Sequence, residues 1–208
     1  MKIIILVRIL WTSGAQKIAI EEAKTLTTLG HEVKLVFLRE AESGKHLKSM
    51  LRNVEYEIFS QAPPRWIYSE ITGLFMPDRK GEGTVDYDLL KDYSKSIKGG
   101  EADYIICHDQ WAGIAGLRIN KSLGVPYSVF CHERITGGYT VPVLGKYAKK
   151  TERNVLKNAT KVFGVTKRVA CSVQDVYGIE ATPNLPGMDL KEYASFSDKK
   201  NVLIASAT

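Results

Sequence analysis

Residues 3–38 read IIILVRILWTSGAQKIAIEEAKTLTTLGHEVKLVFL, and the order of patterns within them decides the fold. Ile3–Val7 is an apolar run without alternation, as expected of a strand covered on both faces. Ala15, Ile18, Ala19, Ala23, Leu26 and Leu29 then fall on one face at helical spacings. Ser13 and Gln16 fit a Ser-x-x-Gln capping box that would start this helix. Gly30 sits where a left-handed residue would stop it. Glu32–Leu38 is a second apolar strand, so the unit is strand–helix–strand, the building block of a parallel sheet.

The same rhythm continues outward. A short helix is expected near Lys45–Arg52, then a strand at Val54–Phe59 and a helix over Asp88–Ile97. ADYIIC, PYSVFC, KVFGV and IEAT read as further strands, separated by helices that Gly124 and Gly178 terminate and by one around Lys146–Asn158. SQAPPRWIYSEITGLFMPDRKGEGTVDY, with its prolines and glycines, receives no elements. Its Trp66, Ile67, Tyr68, Leu74 and Phe75 suit an acceptor, a membrane surface or simple packing on the core. The alternation predicts an α/β protein with a doubly wound parallel sheet, Rossmann-like.

Composition bounds the function classes. With 44% hydrophobic and 25% charged residues in 208, the chain has the make-up of a globular domain. The net charge of +6 favours anionic ligands, but lysines and arginines are scattered rather than gathered in a stripe, which argues against nucleic acid. Cys107, Cys131 and Cys171 are widely spaced, with no Cys-x-x-Cys, so neither zinc nor a disulfide framework is expected and a reducing cytoplasm suits them. MKIIILVRIL is interrupted by Arg8 and reads as a strand rather than a signal peptide.

In doubly wound sheets ligands bind beyond the carboxyl ends of the strands, so those ends are the place to search. They carry RILWTSGAQ, REAESGK, HDQW, HERITGGY, TKR and PNLPGMD. His108 and His132 each end a strand, and His46 lies on the loop edge, whereas His31 falls at the opposite rim in a solvent or packing role. The turn TSGAQK has Gly14 alone where a dinucleotide fingerprint needs three glycines, which argues against NAD or FAD. A helix start here either offers its amides to a diphosphate or is only an N-cap turn, and the two readings are compatible. His132, ahead of Gly137 and Gly138, is placed to meet a substrate or to bond a neighbouring loop. The pair His108–Asp109 is either a second polar contact or, through Asp109, a cap on the following helix.

SGAQKIAIEEAKTLTTLGHEVKLVFL, ADYIICHD, GVPYSVFCHE, KVFGVTKRV and PNLPGMDLKEY together resemble the N-terminal domain of a family 4 retaining glycosyltransferase of GT-B fold. The resemblance covers most of the chain but not residues 60–86, and NLPGMD separates Asn184 from Gly187 by two residues where the family pattern does not. It implies a domain over residues 1–195, with 196–208, ending in NVLIASAT, as linker and first strand of a donor-binding second domain. The chain would then be an N-terminal fragment, inactive alone. It further implies transfer from a nucleotide-sugar to a sugar or lipid-linked acceptor, without metal or other cofactor, in the cytoplasm or peripherally at a membrane. By the resemblance His132 would be catalytic, Gly14 would meet the donor and Gln16 would face the acceptor; their places at the strand ends add Ser13 on the donor side and His108, Asp109, Arg134 and Tyr139 on the acceptor side. A GT-B sugar-nucleotide epimerase and a non-enzymatic α/β ligand-binding module are the rival expectations.

Overall fold

Every side chain from Ile3 to Val7 is at most 6% exposed, so the first strand is buried on both faces of a sheet. In the structure, a computed structural model that describes residues 1–61, 66–69, 74–77, 87–136 and 142–185, this strand is β1 (Lys2–Leu10). It leads to α1 (Gly14–Thr28), β2 (Glu32–Glu40), a 3-10 helix (Glu42–Leu51) and β3 (Tyr56–Ile58). A short antiparallel pair, β4 (Trp66–Ser69) and β5 (Leu74–Pro77), precedes α2 (Tyr87–Ser96) and β6 (Tyr104–His108). Then follow α3 (Gly113–Leu123), β7 (Tyr127–Cys131), α4 (Pro142–Asn158), β8 (Lys161–Gly164), α5 (Lys167–Tyr177) and β9 (Thr182–Pro183).

Seven strands form one sheet in the order β3-β2-β1-β6-β7-β8-β9, with parallel pairing throughout. Parallel crossovers are right-handed, so a chain stepping from β1 to β3 lays its connections on one face and a chain stepping from β6 to β9 lays them on the other. The core divides accordingly. Ile3, Ile5 and Val7 pack with Ala19, Ile20 and Ala23 of α1 and with Leu47 and Leu51. Ile4 and Leu6 face the opposite cluster, to which α2, α3, α4 and α5 contribute Leu90, Ile119, Val155 and Val173. Two cores, one on each face, are the reason the apolar run of β1 does not alternate.

The stop at the end of α1 is as the sequence suggests. Gly30 has φ +87°, its N–H donates to the Thr27 carbonyl at 3.0 Å, and the His31 N–H donates to Leu26 at 3.1 Å, a paired closure of the last turn. The start is different. Ser13 is the N-cap but makes no side-chain cap; its hydroxyl bonds Gln16 Oε1, and Gln16 Nε2 donates to the Ile9 carbonyl at 2.9 Å. Gln16 is only 5% exposed, so its amide satisfies the end of β1 instead of closing a capping box.

Other boundaries shift. β1 runs on to Leu10, paired with Glu40, which brings Arg8 into the strand. The short helix is a 3-10 helix: a Cβ on Gly44 would lie 2.0 Å from the Leu10 carbonyl oxygen, so backbone packs on backbone there. The last strand is displaced to Thr182–Pro183, where Pro183, without an N–H, fits an edge. β4 and β5 fill part of the stretch to which no elements were given, with Tyr68 opposite Phe75. The side chains proposed there for an acceptor or membrane lie outside the described residues, as do residues 186–208 with the second-domain strand.

β8 and α5 approach closely. A Cβ on Gly164 would lie 2.4 Å from the Ala170 backbone nitrogen, whereas one on Gly14 meets nothing within 4 Å. Gly164→Ala is expected to lower the unfolding free energy by roughly 1–3 kcal/mol, and Gly14→Ala to change it by less than about 1 kcal/mol, both read from urea unfolding. Equal effects would contradict the close approach.

Candidate functional site

The sheet's direction of travel reverses between β1 and β6, and beyond the carboxyl ends of those strands a crevice opens, as such reversals require. Side chains reach it by period-two alternation. Ile105 and Cys107 point into the core beneath α3, so Ile106 and His108 point to the face that carries α1. On the neighbouring strand Phe130 pairs in register with His108, and His132, two residues on, follows on the same side. The three rings stack: His108 on Phe130 with centroids 5.5 Å apart and planes 2° from parallel, and His132 5.1 Å from each.

This stack is tied by hydrogen bonds. His108 Nδ1 lies 2.9 Å from His132 Nε2, and His108 Nε2 lies 2.7 Å from Glu22 Oε2 on α1. The His108 side chain has no exposed surface, and both its nitrogens are engaged, so it supports His132 rather than meeting an acceptor as the sequence suggests. His132 remains half-buried and lines the crevice. Burial, with the neighbouring His108 adding to it, pushes its imidazole down from 6.5 to about 3, so the ring is neutral at physiological pH.

Asp109 makes structural contacts in the turn ahead of α3, whose N-cap is Ala112 rather than Asp109. Its Oδ1 accepts the Ala112 N–H at 2.6 Å, and its Oδ2 accepts from Arg8 Nε at 2.7 Å. Its φ of +100° is strained for a residue with a Cβ, at a cost of about 1–3 kcal/mol that these contacts offset. The result fixes the backbone between the end of β6 and α3.

Ser13, Gln16, His108, Asp109 and His132 line one crevice of about 130 Å³, with Trp11 and Trp111 on its walls. Pockets that enclose a whole small ligand run to roughly 300–1,000 Å³; this one is a partial wall. Gly14 is the first residue of α1, between Ser13 and Ala15 of the lining, in a first turn without acidic residues. Arg134 is exposed and outside the lining. Tyr139, Gly137 and Gly138 lie outside the described residues, as does the side chain of His46, on the 3-10 helix. His31 lies at the opposite rim, beside the start of β2. Cys107 and Cys131 are buried thiols and Cys171 is exposed.

Sequence reasoning missed Glu22, Arg8 and Phe130 as partners in the site. One signal was present for Glu22: it follows Ile18 by four and Ala19 by three, which sets a carboxylate beside the apolar stripe of α1.

The family model for Glycosyltransferase Family 4 matches residues 12–184. No curated protein matches the chain. Among solved structures, Anabaena HepE in complex with UDP and glucose superposes with a TM-score of 0.66 at 16% identity, covering 95% of this chain and 47% of that one. Sucrose-phosphate synthase from Thermosynechococcus elongatus gives 0.63 at 16% identity, with 95% and 51% covered. A putative UDP-N-acetylglucosamine 2-epimerase from Listeria monocytogenes gives 0.54 at 13% identity, with 88% and 44% covered. The chain thus spans about half the length of these structures, and at such identities the likeness is one of fold. The family model spans most of the sequence, and by that match the protein belongs to Glycosyltransferase Family 4.

Proposed function

We propose that this domain forms the acceptor-side wall of an enzyme that moves a sugar from a nucleotide-sugar to a sugar or lipid-linked acceptor, with retention of anomeric configuration. The observation that carries the reading is the convergence of the β1–α1 turn, His108 and His132 on one crevice at the reversal of the sheet. A second lobe, holding most of the donor, would close over this wall. The HepE complex with UDP and glucose, of the same fold, supports a nucleotide-sugar as donor. No described helix is long and apolar enough to cross a membrane; a lipid-linked acceptor is proposed to be met peripherally.

The roles follow from the chemistry of each group. The uncapped start of α1, at Ser13 and Gly14, presents backbone N–H groups and the positive end of the helix dipole to the donor diphosphate. Gln16 holds the end of β1 with its amide nitrogen and keeps its crevice edge beside the acceptor. His132, neutral and fixed by its stack, hydrogen-bonds the reacting sugar, where a preorganised contact serves better than a mobile one as charge develops at the anomeric carbon. It is not assigned the work of a general base. The leaving diphosphate is proposed to take the acceptor's proton, and no metal or other cofactor is called for.

In a transfer assay on the intact enzyme, His132→Ala is expected to lower kcat by roughly 100-fold or more while the fold, read by circular dichroism, is retained. An unchanged rate would remove His132 from the site. Product analysis separates the epimerase reading, because an epimerase turns over with no acceptor present.

The neutral His132 also makes a prediction about stability. A ring that titrates at about 3 when folded and near 6.5 when unfolded costs nothing at neutral pH. Below 6.5 the unfolded chain takes up a proton that the folded chain refuses, and stability falls. Between neutral pH and pH 5, wild type should lose roughly 1–2 kcal/mol more than His132→Gln in urea unfolding. Identical losses would mean that the ring is not held neutral.

A further inference from the structure

The line Glu22–His108–His132 does more than fill space, because each link restricts the next. A carboxylate can only accept, so His108 must carry its proton on Nε2 to bond Glu22 at 2.7 Å. A singly protonated His108 ring then leaves Nδ1 as a bare lone pair. The 2.9 Å contact there is made only if His132 donates from its own Nε2. His132 is therefore left with a lone pair on Nδ1, its remaining polar atom.

We propose that Glu22 is a positioning residue which, through His108, fixes His132 in the Nε2–H tautomer so that Nδ1 presents a hydrogen-bond acceptor to the ligand. The proposal deepens the glycosyl-transfer reading and rests on it for the identity of the ligand. The group that His132 meets must then be a donor, a sugar hydroxyl, and not a carbonyl or phosphate oxygen. Three features support the assignment besides the distances. The His108 side chain is wholly buried, so each unmade bond would be costly. Glu22 keeps about a quarter of its side-chain surface, so the line runs from the solvent edge of α1 into the core. Phe130 fixes the planes of both imidazoles, so neither can rotate to exchange its partners cheaply.

The tautomer can be read without any substrate, by long-range proton–nitrogen correlation on the nitrogen-15-labelled chain at neutral pH. His108→Gln and His132→Gln variants assign the ring signals. In wild type His132 should show a protonated-type Nε2 and a bare-type Nδ1. In Glu22→Ala both His132 nitrogens should shift toward averaged values as the two tautomers mix, with a smaller shift in Glu22→Gln, whose amide oxygen can still accept. A proton on Nδ1 of His132 in wild type overturns the proposal, and this spectrum decides even if Glu22→Ala fails to fold. Unchanged His132 signals in a folded Glu22→Ala overturn it as well. Failure of the transfer reading would appear only in the activity assay and would leave the spectrum standing, so the two are separable.

Discussion

A right-handed crossover can lay its helix on only one face of a parallel sheet for a given direction of travel. Because the chain moves one way from β1 to β3 and the other way from β6 to β9, its helices must divide between the faces. Beyond the ends of β1 and β6 the described residues line a crevice. The chemistry proposed for the site depends on this gap. The start of α1 and the ends of β6 and β7 contribute Ser13, Gln16, His108 and His132 to its lining.

Into this gap the protein places a wholly buried histidine, which an apolar face does not tolerate unless both ring nitrogens are satisfied. Glu22 comes from α1 and His132 from the loop after β7, so the contact joins three elements distant in sequence. The polar line acts as a bolt across the crevice wall. Asp109 and Arg8 make a second one on the same rim, holding a strained backbone at the end of β6. The proposed stabilisation of developing charge would need groups that do not reorganise, and two such ties would supply that stiffness.

The match to the sequence is close where short-range physics rules. The unalternating run of β1, the helical spacing of α1 and the left-handed stops at Gly30, Gly124 and Gly178 all depend on neighbours within a turn or a strand, and all were legible. Readings failed where a distant contact decided the outcome. Gln16 looked like half of a capping box, but burial against β1 redirected its amide to Ile9. A short helix near Lys45–Arg52 was legible, but its start at Glu42 and its 3-10 form, with Gly44 against the Leu10 carbonyl, were not. Asp109 looked like a cap on α3, but the N-cap is Ala112, and Asp109 instead bonds the Ala112 N–H and Arg8, 101 residues away.

Local patterns in the chain were enough to specify a doubly wound α/β sheet and the rims to which its histidines belong, since hydrophobic period and turn chemistry are local properties. They also placed His132 at a strand tip, because the run YSVFC ends there. Only the tertiary structure decided that His108 is a buried support, that His132 is neutral, and that Glu22 lies at the far end of their line. Strand order and helix rotation set which side chains meet across tens of residues, and burial then sets their charge. Neither is written in any single stretch of the chain.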